Sequence, residues 1–146
     1  MRLMPLMLLV VCCSGRADWI PIASATRGEH LMEYESNKVT RRGVKIDVWV
    51  RQTGEHVKNY KIKRMLENPR FFSPTEVDEI NQEFSFELSL LQMNCQTWEV
   101  SVRTTQNFGR NGLPLGSAGE SGDFSPIYPN SLMDILASSL CNPSKK

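Results

Sequence analysis

The sequence is poor in the residues that carry common chemistries. Histidine occurs only at positions 30 and 56. There is no Cys-x-x-Cys, no His-Glu-x-x-His, no P-loop and no dinucleotide-binding fingerprint, so the usual zinc, redox, nucleotide-phosphate and NAD sites have no motif here. The glycine-rich runs Gly109–Gly112 and Gly116–Gly119 do not join a strand to a helix. They read as turns rather than phosphate cradles. No apolar run is long enough to span a bilayer as a helix, which takes about 20 residues. With no nucleophile motif, catalytic residues, metal ligands and a resident cofactor are all expected to be absent.

What is present begins with an export signal. Arg2 is followed by the apolar run Leu3–Cys13 and then by the small residues Ser14, Gly15 and Ala17. Charge, apolar stretch and small residues at −3 and −1 predict a signal peptide over residues 1–17, cut before Asp18. Lipid anchoring through Cys12 or Cys13 is the alternative. It fits poorly, because Val11 and Cys12 precede them where a small residue is wanted.

Removing Arg2 and Arg16 leaves 15 basic and 16 acidic residues, a net of −1. Such a chain has no global field to hold nucleic acid or an anionic membrane. Of the four cysteines, Cys95 and Cys141 remain after residue 17. An even number in an exported chain predicts a Cys95–Cys141 disulfide.

Residues 18–146 predict one domain. Asp18–Ser24 and His30–Glu35 are short strands, and Pro21 puts the first at an edge. Arg41-Arg42-Gly43 turns into a strand over Val44–Thr53, with Val44, Ile46, Val48 and Val50 toward the core and Trp49 on the opposite face. Residues 54–83 form a charged, partly helical insert. Its one readable helix is Pro74 to about Gln82, opened by Ser73-Pro74-Thr75-Glu76, and its charges from Lys58 to Glu83 read as a solvated excursion in preference to a binding patch. Phe84–Phe108 is the strongest strand signal: two alternating runs around a turn at Gln96-Thr97. Phe84, Phe86, Leu88 and Leu90 share a face. The parity then shifts to Met93 and Cys95, which predicts a bulge near Leu90-Leu91. The return strand groups Trp98, Val100 and Val102 before turning polar at Thr104-Thr105-Gln106. Asn111-Gly112 signals a hairpin into a sixth strand over Leu113–Ala118. Ser131-Leu132-Met133-Asp134 caps a final helix with an apolar stripe at Leu132, Ile135, Leu136 and Leu140, ending at Cys141.

The fold class is therefore α+β: a single antiparallel sheet of about six strands, a C-terminal helix packed on one face, and a short helical insert. The disulfide would pin that helix to the sheet.

Several features together resemble the surface-adhesin protein E family of exported Gram-negative bacterial proteins. They are the opening Asp18-Trp19-Ile20, the Arg41-Arg42-Gly43 turn before Val48-Trp49-Val50, Met93-Asn94-Cys95 at a strand end, the Gly116 region, and Phe124 through Ile127-Tyr128-Pro129-Asn130-Ser131 to Leu140-Cys141. The resemblance implies a sheet with a C-terminal helix, a place in the periplasm or on the outer-membrane surface, and binding of host extracellular-matrix proteins. The insert is longer than the family pattern, and Glu35 and Lys38 stand roughly where the family carries acidic and serine positions.

The leading expectation is an exported, non-enzymatic binding module with a protein partner, with homodimerisation through an exposed sheet edge as one mode. The alternative is a periplasmic small-ligand or haem-binding protein using His30, Met32 or Tyr34. A hydrolase is a third reading without a supporting motif.

Overall fold

The computed structural model describes residues 17–24, 31–119 and 122–142. The expected signal segment up to Arg16, the Thr26–Glu29 turn, His30 and the tail from Pro143 lie outside them.

The chain runs β1 (Trp19–Ser24), β2 (Leu31–Glu35), β3 (Thr40–Arg42), β4 (Lys45–Thr53), α1 (Glu55–Glu67), α2 (Pro74–Glu83), β5 (Phe84–Asn94), β6 (Glu99–Gly109), β7 (Pro114–Gly119), β8 (Ser125–Pro126) and α3 (Leu132–Cys141). Every strand pair is antiparallel, along the path β1-β2-β4-β5-β6-β7. The two short strands share edges with longer ones: β3 pairs with residues 45–47 of β4, and β8 with residues 99–100 of β6. The α+β architecture read from the sequence holds, with six strands in line and two short additions.

Alternation gives the sheet two distinct faces. Ile46, Val48 and Val50 of β4 lie across from Met93, Leu91 and Ser89 of β5. The apolar members of this set are buried with Met32, Tyr34 and Ile127 against Leu136, Ala137 and Leu140 of α3. α3 forms where predicted because cap and packing agree. The Ser131 side chain accepts from the Asp134 N–H at 3.2 Å, and the Asp134 carboxylate accepts from the Asn130 N–H at 2.9 Å and from Trp98 Nε1 at 3.1 Å. Cys95, just past β5, is bonded to Cys141 at the last turn of α3, with the Cα atoms 5.5 Å apart. Arg41 also reaches that last turn, donating to the Leu140 carbonyl at 2.6 Å.

On the other face stand Asp47, Trp49, Arg51, Phe86, Leu88, Leu90 and Gln92. None of them belongs to either helix-side core cluster. Here Phe86 stacks on Phe108 with ring centroids 4.8 Å apart. Arg51 lies 4.6 Å over the Trp19 ring and donates to Glu33. Asp47 accepts from Arg42 and Gln92. Polar links and stacked rings shield apolar surface that no layer covers among these residues.

The structure corrects several sequence expectations. Val44 is 46% exposed and sits in the turn after Gly43, not in the core. Arg41 and Arg42 belong to β3, and Gly43 at φ 61° supplies the turn. The register does shift at Leu90/Leu91, but β5 runs without interruption against β4. The extra residue is Arg103 in β6. β5 simply changes which face carries its apolar side chains, from Phe86, Leu88 and Leu90 on the open face to Leu91 and Met93 on the core face. Phe84 does not share the face of Phe86: a second shift around Ser85 turns it into a separate cluster with Val57, Met65, Ile80 and Leu115. Ile135 of α3 is exposed, and Ala137 takes its place in the core.

A further correction concerns the insert. Residues 54–83 are not a solvated excursion before one helix. They form the helical hairpin α1–α2, which covers the far end of the sheet face that α3 occupies. α2 carries the expected capping box: Ser73 Oγ accepts from the Glu76 N–H at 3.2 Å, and the Glu76 carboxylate accepts from the Ser73 N–H at 2.8 Å. α1 starts instead from Gly54, at φ 113° and without a side-chain cap. Only Val57 and Met65 of its residues are buried.

Candidate functional site

Two clusters divide the helix side of the sheet. The α3 cluster fills its end, while the α1–α2 cluster is small: Val57, Met65, Ile80, Phe84 and Leu115, with Ile62 and Val77 beside it. Between the hairpin and the sheet a cleft of about 460 Å3 is left open. That volume lies within the roughly 300–1,000 Å3 typical of small-molecule sites.

The floor of the cleft is the sheet itself. Glu87 of β5 and Val102, Thr105 and Asn107 of β6 face into it. The roof is Tyr60, Lys61, Arg64 and Met65 of α1, with Phe72 from the connection. Glu76 and Ile80 of α2 close one side, and Gly116 and Gly119 of the edge strand β7 the other.

Most of the polar groups are already matched. Lys61 forms an ion pair with Glu87, and both side chains are largely buried. Glu87 also accepts from Ser89 Oγ at 3.2 Å, and Ser89 shares a hydrogen bond with Thr105 at 3.0 Å. Glu76 accepts from the Ser73 N–H, which holds its carboxyl below the usual carboxylate range; the Ser73 hydroxyl adds to this, against a small opposing effect of burial.

Two groups are not matched. The Asn107 Oδ1 is buried and has no hydrogen-bond partner among the described residues, a condition that costs roughly 1–3 kcal/mol. The Arg64 guanidinium, on an exposed residue, is left to solvent, with no hydrogen bond or ion pair among the described residues. Since buried polar atoms are nearly always paired, an unpaired amide oxygen in a cleft wall marks a place where a ligand gains more than a bare surface would offer.

The hairpin has an outer surface as well. Two exposed large hydrophobic residues of the hairpin lie outside the cleft lining, Leu66 (63%) and Phe71 (80%), while the exposed Tyr60 and Phe72 stand at the cleft. Lys63 and Arg70 are near Leu66 and Phe71 in the sequence. Apolar and cationic residues are thus close in sequence around the α1–α2 connection.

The residues singled out in the sequence fall elsewhere. Cys95 and Cys141 are brought together as expected. Met32 and Tyr34 are core residues on β2, packed toward α3, so they form no surface ligand set. His30 is outside the described residues. Among the described residues no three His, Cys, Asp or Glu side chains cluster as a metal site. No helix among them is long and apolar enough to cross a membrane.

The cleft residues were not anticipated. The one available signal was in β6, where the core-facing positions change from Val100 and Val102 to Thr105 and Asn107. Polar residues on the buried side of a strand mark a place where the core stops. No family model matches the chain, and no curated protein matches it either.

Proposed function

We propose that the protein is an exported, non-enzymatic binding module, of the kind its resemblance to surface-adhesin protein E implies, and that it engages a protein partner through the outer surface of the α1–α2 hairpin. The observation that carries this reading is the exposure of Leu66 and Phe71, near Lys63 and Arg70 in the sequence. Aromatic and arginine side chains are the usual energetic anchors of protein interfaces. Leaving Phe71 four-fifths exposed has no use for the fold. The Cys95–Cys141 bond supports a life in an oxidising compartment, such as the periplasm or the outer-membrane surface of a Gram-negative cell.

The partner class, host extracellular-matrix protein, comes from the resemblance. Capture on immobilised matrix proteins tests it, with wild type compared to a Leu66→Ala/Phe71→Ala double variant. Wild-type capture that falls about ten-fold in the variant, at unchanged melting temperature, is the expected result. No capture of the wild type, or equal capture of both, refutes the reading. Fractionation of intact cells tests export separately: the chain is expected outside the cytoplasm, already cut before Asp18.

A further inference from the structure

We infer that the cleft beneath the hairpin is a second, independent site that binds a short apolar peptide by its free C-terminal carboxylate. It goes beyond the surface reading above, because it uses the inner side of the hairpin rather than its outer side.

Three features fix the ligand chemistry. First, the unpaired cation at the cleft is Arg64, while the neighbouring Lys61 is already neutralised by Glu87. A guanidinium without a partner offers a planar, two-pronged donor whose best complement is a carboxylate or phosphate. Second, Asn107 presents a primary amide whose oxygen lacks a donor. A half-turn about χ2 exchanges its donor and acceptor ends. The group that satisfies an amide in either setting carries both N–H and C=O, and a peptide unit does so. Third, Met65, Ile80 and Val102 line the same cleft, which favours an apolar body.

Carboxylate, peptide group and apolar side chain within a few ångströms describe the end of a peptide chain. Capture of a terminal carboxylate is a recurrent recognition mode. A phosphate ester would meet Arg64 equally well. It would bring two negative charges toward Glu76 and Glu87, which leave the cleft no net positive charge. A single carboxylate suits this balance better. Gly116 and Gly119 leave the β7 side of the cleft without side chains, so the ligand has room to enter there.

Isothermal titration with three probes tests the proposal on the intact, oxidised protein. The probes are N-acetyl-Leu-Leu as the free acid, the same compound as its C-terminal amide, and decanoate. The free acid is expected to bind about ten-fold or more tightly than the amide. Decanoate, which lacks a peptide group, is expected to bind more weakly than the free acid. Arg64→Gln should bring the free acid down to the level of the amide. Gly119→Leu should abolish binding by filling the cleft. A Cβ at Gly119 meets nothing within 4 Å, so this variant is expected to melt as the wild type does. Equal affinity for acid and amide, or decanoate binding as tight as the peptide, overturns the proposal. So does undiminished binding by Gly119→Leu, or no binding of the free acid. The Leu66→Ala/Phe71→Ala variant should bind the free acid like wild type, so failure of the surface reading and failure of this one are separately visible.

Discussion

The two ends of one sheet face are covered in opposite ways. At the Cys95 end, α3 seals a dry cluster in which Ile46, Val48, Met93, Leu136 and Ala137 are almost wholly buried, and a covalent bond and an arginine hold the helix down. At the Phe84 end, α1 and α2 touch the sheet through a handful of side chains and leave a cleft with a bare amide oxygen. One cover is built for stability. The other leaves a buried amide oxygen unsatisfied beside an open cleft. Sites that must bind are commonly drawn from the less stable part of a fold, because full satisfaction leaves nothing to gain.

This contrast can be broken experimentally, and the largest effect is expected at the bond. Cys95→Ser should remove about 4 kcal/mol, the chain-entropy estimate for a separation of 46 residues. Chemical denaturation with and without reductant measures it; a wild-type curve indifferent to reductant would show that α3 is held by packing alone. Next, Leu136→Ala should cost about 3 kcal/mol, because the site is closed on all sides and cannot collapse. Met65→Ala, at the edge of the cleft, should cost visibly less. Equal losses would mean that both ends are packed alike. Ser73→Ala should cost about 1 kcal/mol through the lost cap. Its signature is local: amide exchange should quicken in α2 and leave α3 unchanged.

The smallest effect is on acidity. The Glu76 pKa is lowered in the fold from an ordinary value of 4.5. Its contribution is therefore complete above pH 4.5 and fades as pH falls through the lower folded value. Protection of the α2 amides, corrected for intrinsic exchange, should fall over that window in the wild type and show no such step in Glu76→Gln. A step of equal size in both would place the titrating group elsewhere.

The same contrast explains what could be read from the chain. α3 was legible because local and global signals coincide: a serine cap, an acidic residue at the third position, apolar residues at helical spacing and a cysteine where the helix stops. Even there Ile135 fits the stripe but faces out, while Ala137 is buried. The spacing locates the stripe only to within one residue. α1 gave no signal. It has a glycine where a cap would be, and its two buried residues are eight positions apart, so no apolar stripe exists to find. In β5 the change of parity after Leu90 was visible, and the expected bulge does lie there, with its extra residue on β6; the parity change itself belongs to a strand that is apolar on both faces. A sheet with apolar groups on both faces produces the same pattern as a bulge in a one-faced strand. The cleft was hidden for another reason. Its walls come from α1, α2, β5, β6 and β7, and only the polar break at Thr105 and Asn107 hinted that packing ends there.

The cysteine pairing has a consequence for the order of biogenesis. A chain emerges N-terminus first, and Cys95 appears 46 residues before its partner. Through that interval the central hairpin and the helical insert can assemble, while the Cys95 thiol waits unpaired. The bond can close only once α3 has been delivered and docked. Oxidation therefore serves as a completion mark: a molecule carrying the native bond has necessarily been made as far as Cys141, and a truncated one stays open to quality control.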